Sequence, residues 1–296
     1  MLHTFLPCLK RCSASLLLIA AAMLGGCAVT PVQPVADWHD AVLAVQDQSN
    51  TVFRNVNDLV RASQVKRAGR LDKLLESDFQ PGLDADSLAA WNRAFDGLAS
   101  YGAALAALLS PDLASGVGDA TKQASESLAS TAKSDVLEKR PGLSSALGTL
   151  ATRLTAVAAG RKASEVMAQT DGAVSDVLMQ MAKMVYDDSA GTTSGVYVTV
   201  QADWMTQADE VRAQYLRATT SDEKRRIAVQ FADTLQQRDA ALSSILGVRA
   251  AIDGLAATHH LAAAGGPIDT AAQIARIREQ TAFFRTLLAD LEPAQQ

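Results

Sequence analysis

Cysteine, histidine and aromatic side chains are scarce in this chain, and each scarcity removes a class of chemistry. The three cysteines are Cys8, Cys12 and Cys27, so nothing beyond Cys27 can form a disulfide, a thiolate metal site or a cysteine nucleophile. Of the four histidines, only His39, His259 and His260 lie beyond that point. His259 and His260 are adjacent, so on a helix they diverge by about 100° and cannot grip one metal ion as an i, i+4 pair does. His259 falls on the expected buried stripe and His260 outside it. No P-loop, dinucleotide glycine pattern, paired His/Glu helix motif or glycine-flanked serine occurs. No catalytic, cofactor or metal residue is assigned, and the expectation is a non-enzymatic protein. Basic charge is also in deficit. Residues 1–26 carry Lys10 and Arg11 and no acid, which leaves the remainder at net −7 with histidines neutral. That balance disfavours nucleic acid as a partner.

A charged start is present, followed by an uncharged apolar run of twelve residues, Ser13 to Leu24. A membrane-spanning helix needs about 20 residues, so this run is too short and reads as the core of a secretory signal peptide. It closes on Leu24-Gly25-Gly26-Cys27, which resembles the lipobox of bacterial lipoproteins. The resemblance covers about the first tenth of the chain. It implies removal of residues 1–26, lipidation of Cys27, and attachment to a membrane through that lipid. Ala28, rather than Asp, follows the cysteine; by the sorting habit of such lipoproteins this implies the periplasmic face of an outer membrane. Residues 27–35, with Pro31 and Pro34, form a stiffened tether.

Alanine-rich composition and apolar spacing predict an all-α domain over residues 36–296. One stripe runs Trp38, Val42, Val45, Ser49, Val52, Val56, Leu59, Ser63; another Leu88, Trp91, Phe95, Leu98, Gly102, Leu105, Leu109; a third Leu143, Leu147, Leu150, Leu154, Val157; a fourth Ile274, Ile277, Thr281, Phe284, Leu288, Leu291. The steps of three and four keep each stripe on one face. Helices are expected from about Ala36 to Leu75, then to about Leu109, with a restart capped by Ser110-Pro111. A break follows at Pro141, then one long helix from Gly142 to Tyr186. Helices over Val196 to Ala218 and from a capping box at Thr220–Glu223 to about Ala264, then a last one, complete the set. Short connections imply an elongated antiparallel bundle of about six or seven helices. If the bundle divides, two sub-bundles meet near the Asp187 to Gly195 loop. The strand-like Val196 to Val200 has no second strand to pair with, so it reads as the start of a helix capped by Ser194.

The remaining candidates are weighed as structure before chemistry. Asp187 and Asp188 in "DDSAGTTSG" lack the spacing of a cation or phosphate loop, and Asp84 to Ser87 reads as a helix cap. The clusters Val65 to Arg70 and Glu223 to Arg226 read as solvated helix faces. Arg238 and Arg249 fall at or beside positions where apolar residues are expected, which marks either stems lying over the core or an interaction seam that pairs with carboxylates. The expected function is contact with a protein partner in the cell envelope, as scaffold, adaptor or toxin-neutralising surface. The rival expectation is a carrier or sensor of a small apolar ligand, held among helices near Met167, Met179, Met181 and Met184.

Overall fold

A computed structural model describes residues 32–69, 73–109, 117–157, 162–189, 193–264 and 275. Cys27, Ser110, Pro111 and the stripe from Ile274 to Leu291 lie outside the described residues. The described residues belong to one compact unit. Its α-helices are α1 (Val32–Ala68), α2 (Ala85–Leu109), α3 (Val117–Ala132), the single turn α4 (Asp135–Glu138), α5 (Pro141–Val157), α6 (Ala163–Val185), α7 (Val196–Arg217) and α8 (Ser221–Ala263), with a 3-10 turn at Glu76–Phe79. The fold is an all-α bundle.

The stripes face inward as their spacing requires. Trp38, Val42, Val45, Val52 and Val56 of α1 meet Trp91, Phe95, Leu98 and Leu105 of α2 in one core, joined by Leu143, Leu147, Leu150 and Leu154 of α5. The pairing of α1 with α2 is antiparallel, because partners rise on one helix as they fall on the other. Asn57 holds the backbone of Leu83, Asn50 bonds Asn92, Gln46 bonds Asp96, and His39 packs on Gly102. Trp91 donates its indole N–H to Ser49 at 2.8 Å, so the one polar member of the α1 stripe at that level is satisfied inside the core. Neighbours α1–α2–α3–α5–α6–α8 pack in turn, and α8 closes back onto α1. At Gly102 a Cβ would stand 2.9 Å from the His39 ring, so the glycine is what lets that ring lie against α2.

Several expected boundaries shift. Instead of one helix from Gly142 to Tyr186, α5 ends at Val157, Lys162 is extended (ψ 151°), and α6 begins at Ala163. The two halves pack on each other, which one continuous helix could not do. α1 begins at Val32 rather than Ala36, with Pro34 in the first turn where a missing N–H costs no helical bond. It thereby takes in the end of the expected tether. α1 stops at Ala68, ahead of Gly69, and not at Leu75; Leu74 and Leu75 are exposed. Eight α-helices stand among the described residues rather than six or seven, because of the α5–α6 division and the single turn α4. α8 contains an 18-residue window apolar enough by composition to cross a membrane, and half of that window is buried within the bundle.

Ser194 does not cap α7. Its backbone pairs with Asp187 in an isolated antiparallel bridge, N–H to O at 3.0 and 2.9 Å, and Gly195 takes the cap position with φ 99°. A Cβ there would meet the Val185 carbonyl oxygen at 2.7 Å. Left-handed backbone and contact with main chain both demand glycine. Gly195→Ala is expected to lower stability by about 1–3 kcal/mol, read as a shift in the urea midpoint; an unchanged midpoint would show that the α6–α7 turn relaxes freely.

Candidate functional site

A buried polar assembly joins residues far apart in the chain. On α2, Tyr101 places its hydroxyl 2.6 Å from Thr170 Oγ1 of α6 and 2.9 Å from His259 Nε2 of α8. His259 Nδ1 lies 2.9 Å from one oxygen of Asp171, and His260 Nδ1 lies 2.7 Å from the other. Trp38 of α1 stands edge-on to both the Tyr101 and His259 rings. Thr170 gives its hydroxyl proton to the Val166 carbonyl of its own helix at 2.8 Å, so the single Tyr101 proton is shared between Thr170 Oγ1 and neutral His259 Nε2, and both histidines donate Nδ1–H to ionised Asp171. The adjacent histidines thus share one carboxylate. The ordering of hydroxyl, imidazole and carboxylate is that of an acid–base relay, yet Tyr101, Thr170 and His259 are each at most 1% exposed. No substrate reaches them in this arrangement; they lock α2, α6 and α8 together. Among the described residues no group of three His, Cys, Asp or Glu side chains gathers to hold a metal.

The environment sets the charges. Burial pushes the Tyr101 phenol up, so it stays protonated. Burial also pushes the His259 imidazole below the ordinary histidine value, and contact with Asp171 only partly offsets this. For Asp171 burial works upward, but the hydrogen bonds from His260 and His259 together hold it below the ordinary carboxylate value. The unfolded chain would protonate His259 near pH 6.5, while the folded chain resists. Stability from this group is therefore full above about pH 6.5 and is lost as pH falls toward the folded value. Asp171 contributes in the same sense at lower pH, below about 4. Thermal unfolding is expected at lower temperature at pH 5 than at about pH 7.5, with a flatter profile in His259→Gln, whose amide can still donate to Asp171 and accept from Tyr101. Parallel profiles for the two proteins would remove the role assigned to His259.

The two arginines of the expected seam separate. Arg249 donates to the Tyr186 carbonyl oxygen, lies 5.6 Å over the Tyr186 ring, and stands 3.9 Å from Asp253. It closes the C-terminal end of α6 and is an internal fastener. Arg238 is half-buried and bonds its neighbour Asp239 at 2.7–2.8 Å. Arg67, expected on a solvated face, is instead tucked against Asp203 at 3.7 Å. Asp84 caps α2 by accepting from Ser87 N–H at 2.6 Å, and Thr220 caps α8 by accepting from Glu223 N–H at 3.2 Å. Asp187 accepts from Ser189 within its own turn. The four methionines are not gathered: Met167 and Met181 are core, Met184 packs at its edge and Met179 is exposed.

α8 changes character along its length. From Ala240 to Ala263 it buries eleven residues; from Ser221 to Asp239 it buries only Ile227. Phe231 and Leu235, which keep the apolar spacing of the helix, are only half-buried. At this level the cleft and the small apolar cluster are built from α1, α7 and α8. A small cluster of Val211, Ala218, Ile227 and Phe231 holds α7 to α8. A cleft of about 330 Å³ opens between the three helices, lined by Leu59, Ser63 and Arg67 of α1, Glu210 and Val211 of α7, and Arg226, Val229, Gln230 and Asp233 of α8. Met205, Tyr215, Leu216 and Val229 are exposed on this arm, Leu216 at 77%. Periodicity could not reveal the arm, because its helices keep helical spacing while losing their apolar members.

Compared with protein-family models, curated proteins and solved structures, the chain matches none of them.

Proposed function

We propose that this chain is a lipid-anchored cell-envelope protein that acts by contact with another protein and performs no chemistry. Cys27 carries the lipid at the periplasmic face of an outer membrane, and the three-helix arm meets the partner. The observation that carries this reading is the Leu24-Gly25-Gly26-Cys27 motif behind a short apolar run. The arm supports it from the other side. Its cleft begins at Leu59, roughly 40 Å along α1 from Val32, where the chain leaves the tether. Exposed Tyr215 and Leu216 stand there beside Arg217 and Lys224, the mixture of apolar anchor and charge that suits recognition.

The test is photo-crosslinking in cells from a reactive residue placed at Leu216, with Lys122 on α3 as an exposed control. A discrete adduct from position 216 and none from 122 is the expected result. No adduct from the arm, or the same pattern from both positions, would set the contact role aside.

A further inference from the structure

At the level where α6 ends and α2, α5 and α7 begin, a second cleft of about 530 Å³ is lined by groups from four helices. Its cations are Lys139, Arg140 and Lys183. Lys139 is spent on Asp86 at 2.5 Å, and Arg140 uses one nitrogen on Ser87. Lys183 is half-buried in the wall, where its charge acts on Asp187 across the cleft without a salt bridge within 4.0 Å among the described residues. Gln180, laid over Gly142, likewise keeps its amide unbonded there. The first turns of α5 and α7 face the same space, which adds a favourable field for negative charge. Two carboxylates also line it. Asp84 is committed to Ser87, whose bonds together with the charge of Arg140 outweigh burial, and Asp187 to Ser189, with Lys183 and Arg249 helping, so both lie below the ordinary carboxylate value and remain ionised. Each retains lone pairs that can accept from a hydroxyl.

We propose that this cleft binds a small hydroxylated anion. Lys183 and Arg140 take the anionic group, and Asp187, Asp84 and Gln180 take the hydroxyls. A bare anion would gain the cations but face two carboxylates with nothing to donate to them. A neutral polyol would leave Lys183 with only the charge of Asp187, which is itself bonded to Ser189. The volume also exceeds what an inorganic anion fills and suits one sugar-sized ring. This inference does not depend on the tether or the arm.

The full chain purified in detergent is titrated by calorimetry with glucuronate, glucose 6-phosphate, inorganic phosphate and glucose. Saturable binding of glucuronate or glucose 6-phosphate is expected, at least tenfold tighter than phosphate or glucose; which of the two binds identifies a carboxylate or a phosphate as the anionic group. Lys183→Gln is expected to weaken that binding at least tenfold, and Lys122→Gln to leave it unchanged. Absence of saturable binding by both hydroxylated anions would overturn the proposal. So would phosphate binding as tightly as glucose 6-phosphate, or equal affinities in Lys183→Gln and the unaltered chain.

Discussion

Trp38→Ala is expected to cost about 3–5 kcal/mol of folding stability, the range for removing a fully buried large aromatic. Trp38 is 0% exposed and joins three helices at once. Its indole N–H donates across to the Leu255 carbonyl of α8 at 3.1 Å. Its ring meets Tyr101 of α2 at 5.7 Å and His259 of α8 at 5.1 Å, both edge-on, an arrangement that stabilises beyond area alone. Truncation leaves a cavity against the Tyr101–His259–Asp171 network, so the loss of packing is compounded where polar groups rely on dry surroundings. Leu43→Ala, on the same helix but 43% exposed, is expected to cost under about 1 kcal/mol. Urea unfolding followed by circular dichroism compares the two. Similar midpoints would mean that α1 is not fastened to α8 through Trp38.

The same helix shows how far the amino-acid order could be read. Val42, Val45, Val52 and Val56 are buried as spacing requires, since a stripe on a helix is a local property. The capping groups Asp84 and Thr220 were legible for the same reason: donor and acceptor lie three residues apart. The network was not legible. Tyr101 and His259 are 158 positions apart, and nothing local says that their helices meet. A signal did exist in Thr170-Asp171, two polar residues beginning at a level where Val166 and Val174 define a buried face. Arg249 shows the opposite limit. Its unusual position in the apolar pattern was visible, but its partner is the main chain of Tyr186, which no side-chain pattern encodes. The division of 142–186 was hidden because both segments carry helical periodicity and only packing of α5 on α6 requires a turn between them.

Cys27→Ser carries the largest expected effect on location. A serine hydroxyl is a far poorer nucleophile than a thiol for accepting a lipid, and the adjacent cleavage depends on that modification if the motif works as it does in the lipoproteins it resembles. Each buried CH₂ of an acyl chain contributes about 0.8 kcal/mol, and a single chain holds only marginally. With more than one chain the membrane-bound fraction should be nearly complete. The variant is therefore expected to lose processing at the Gly26–Cys27 bond and with it the lipid-borne attachment.

The most direct measurement is the intact mass of the protein extracted from cell envelopes, taken together with its N-terminal fragment. The expected result is a chain that begins at Cys27 and is heavier than its amino acids by two or more fatty acyl groups. A chain that begins elsewhere, or one that begins at Cys27 with an unmodified thiol, would contradict the tethered-contact reading at its root.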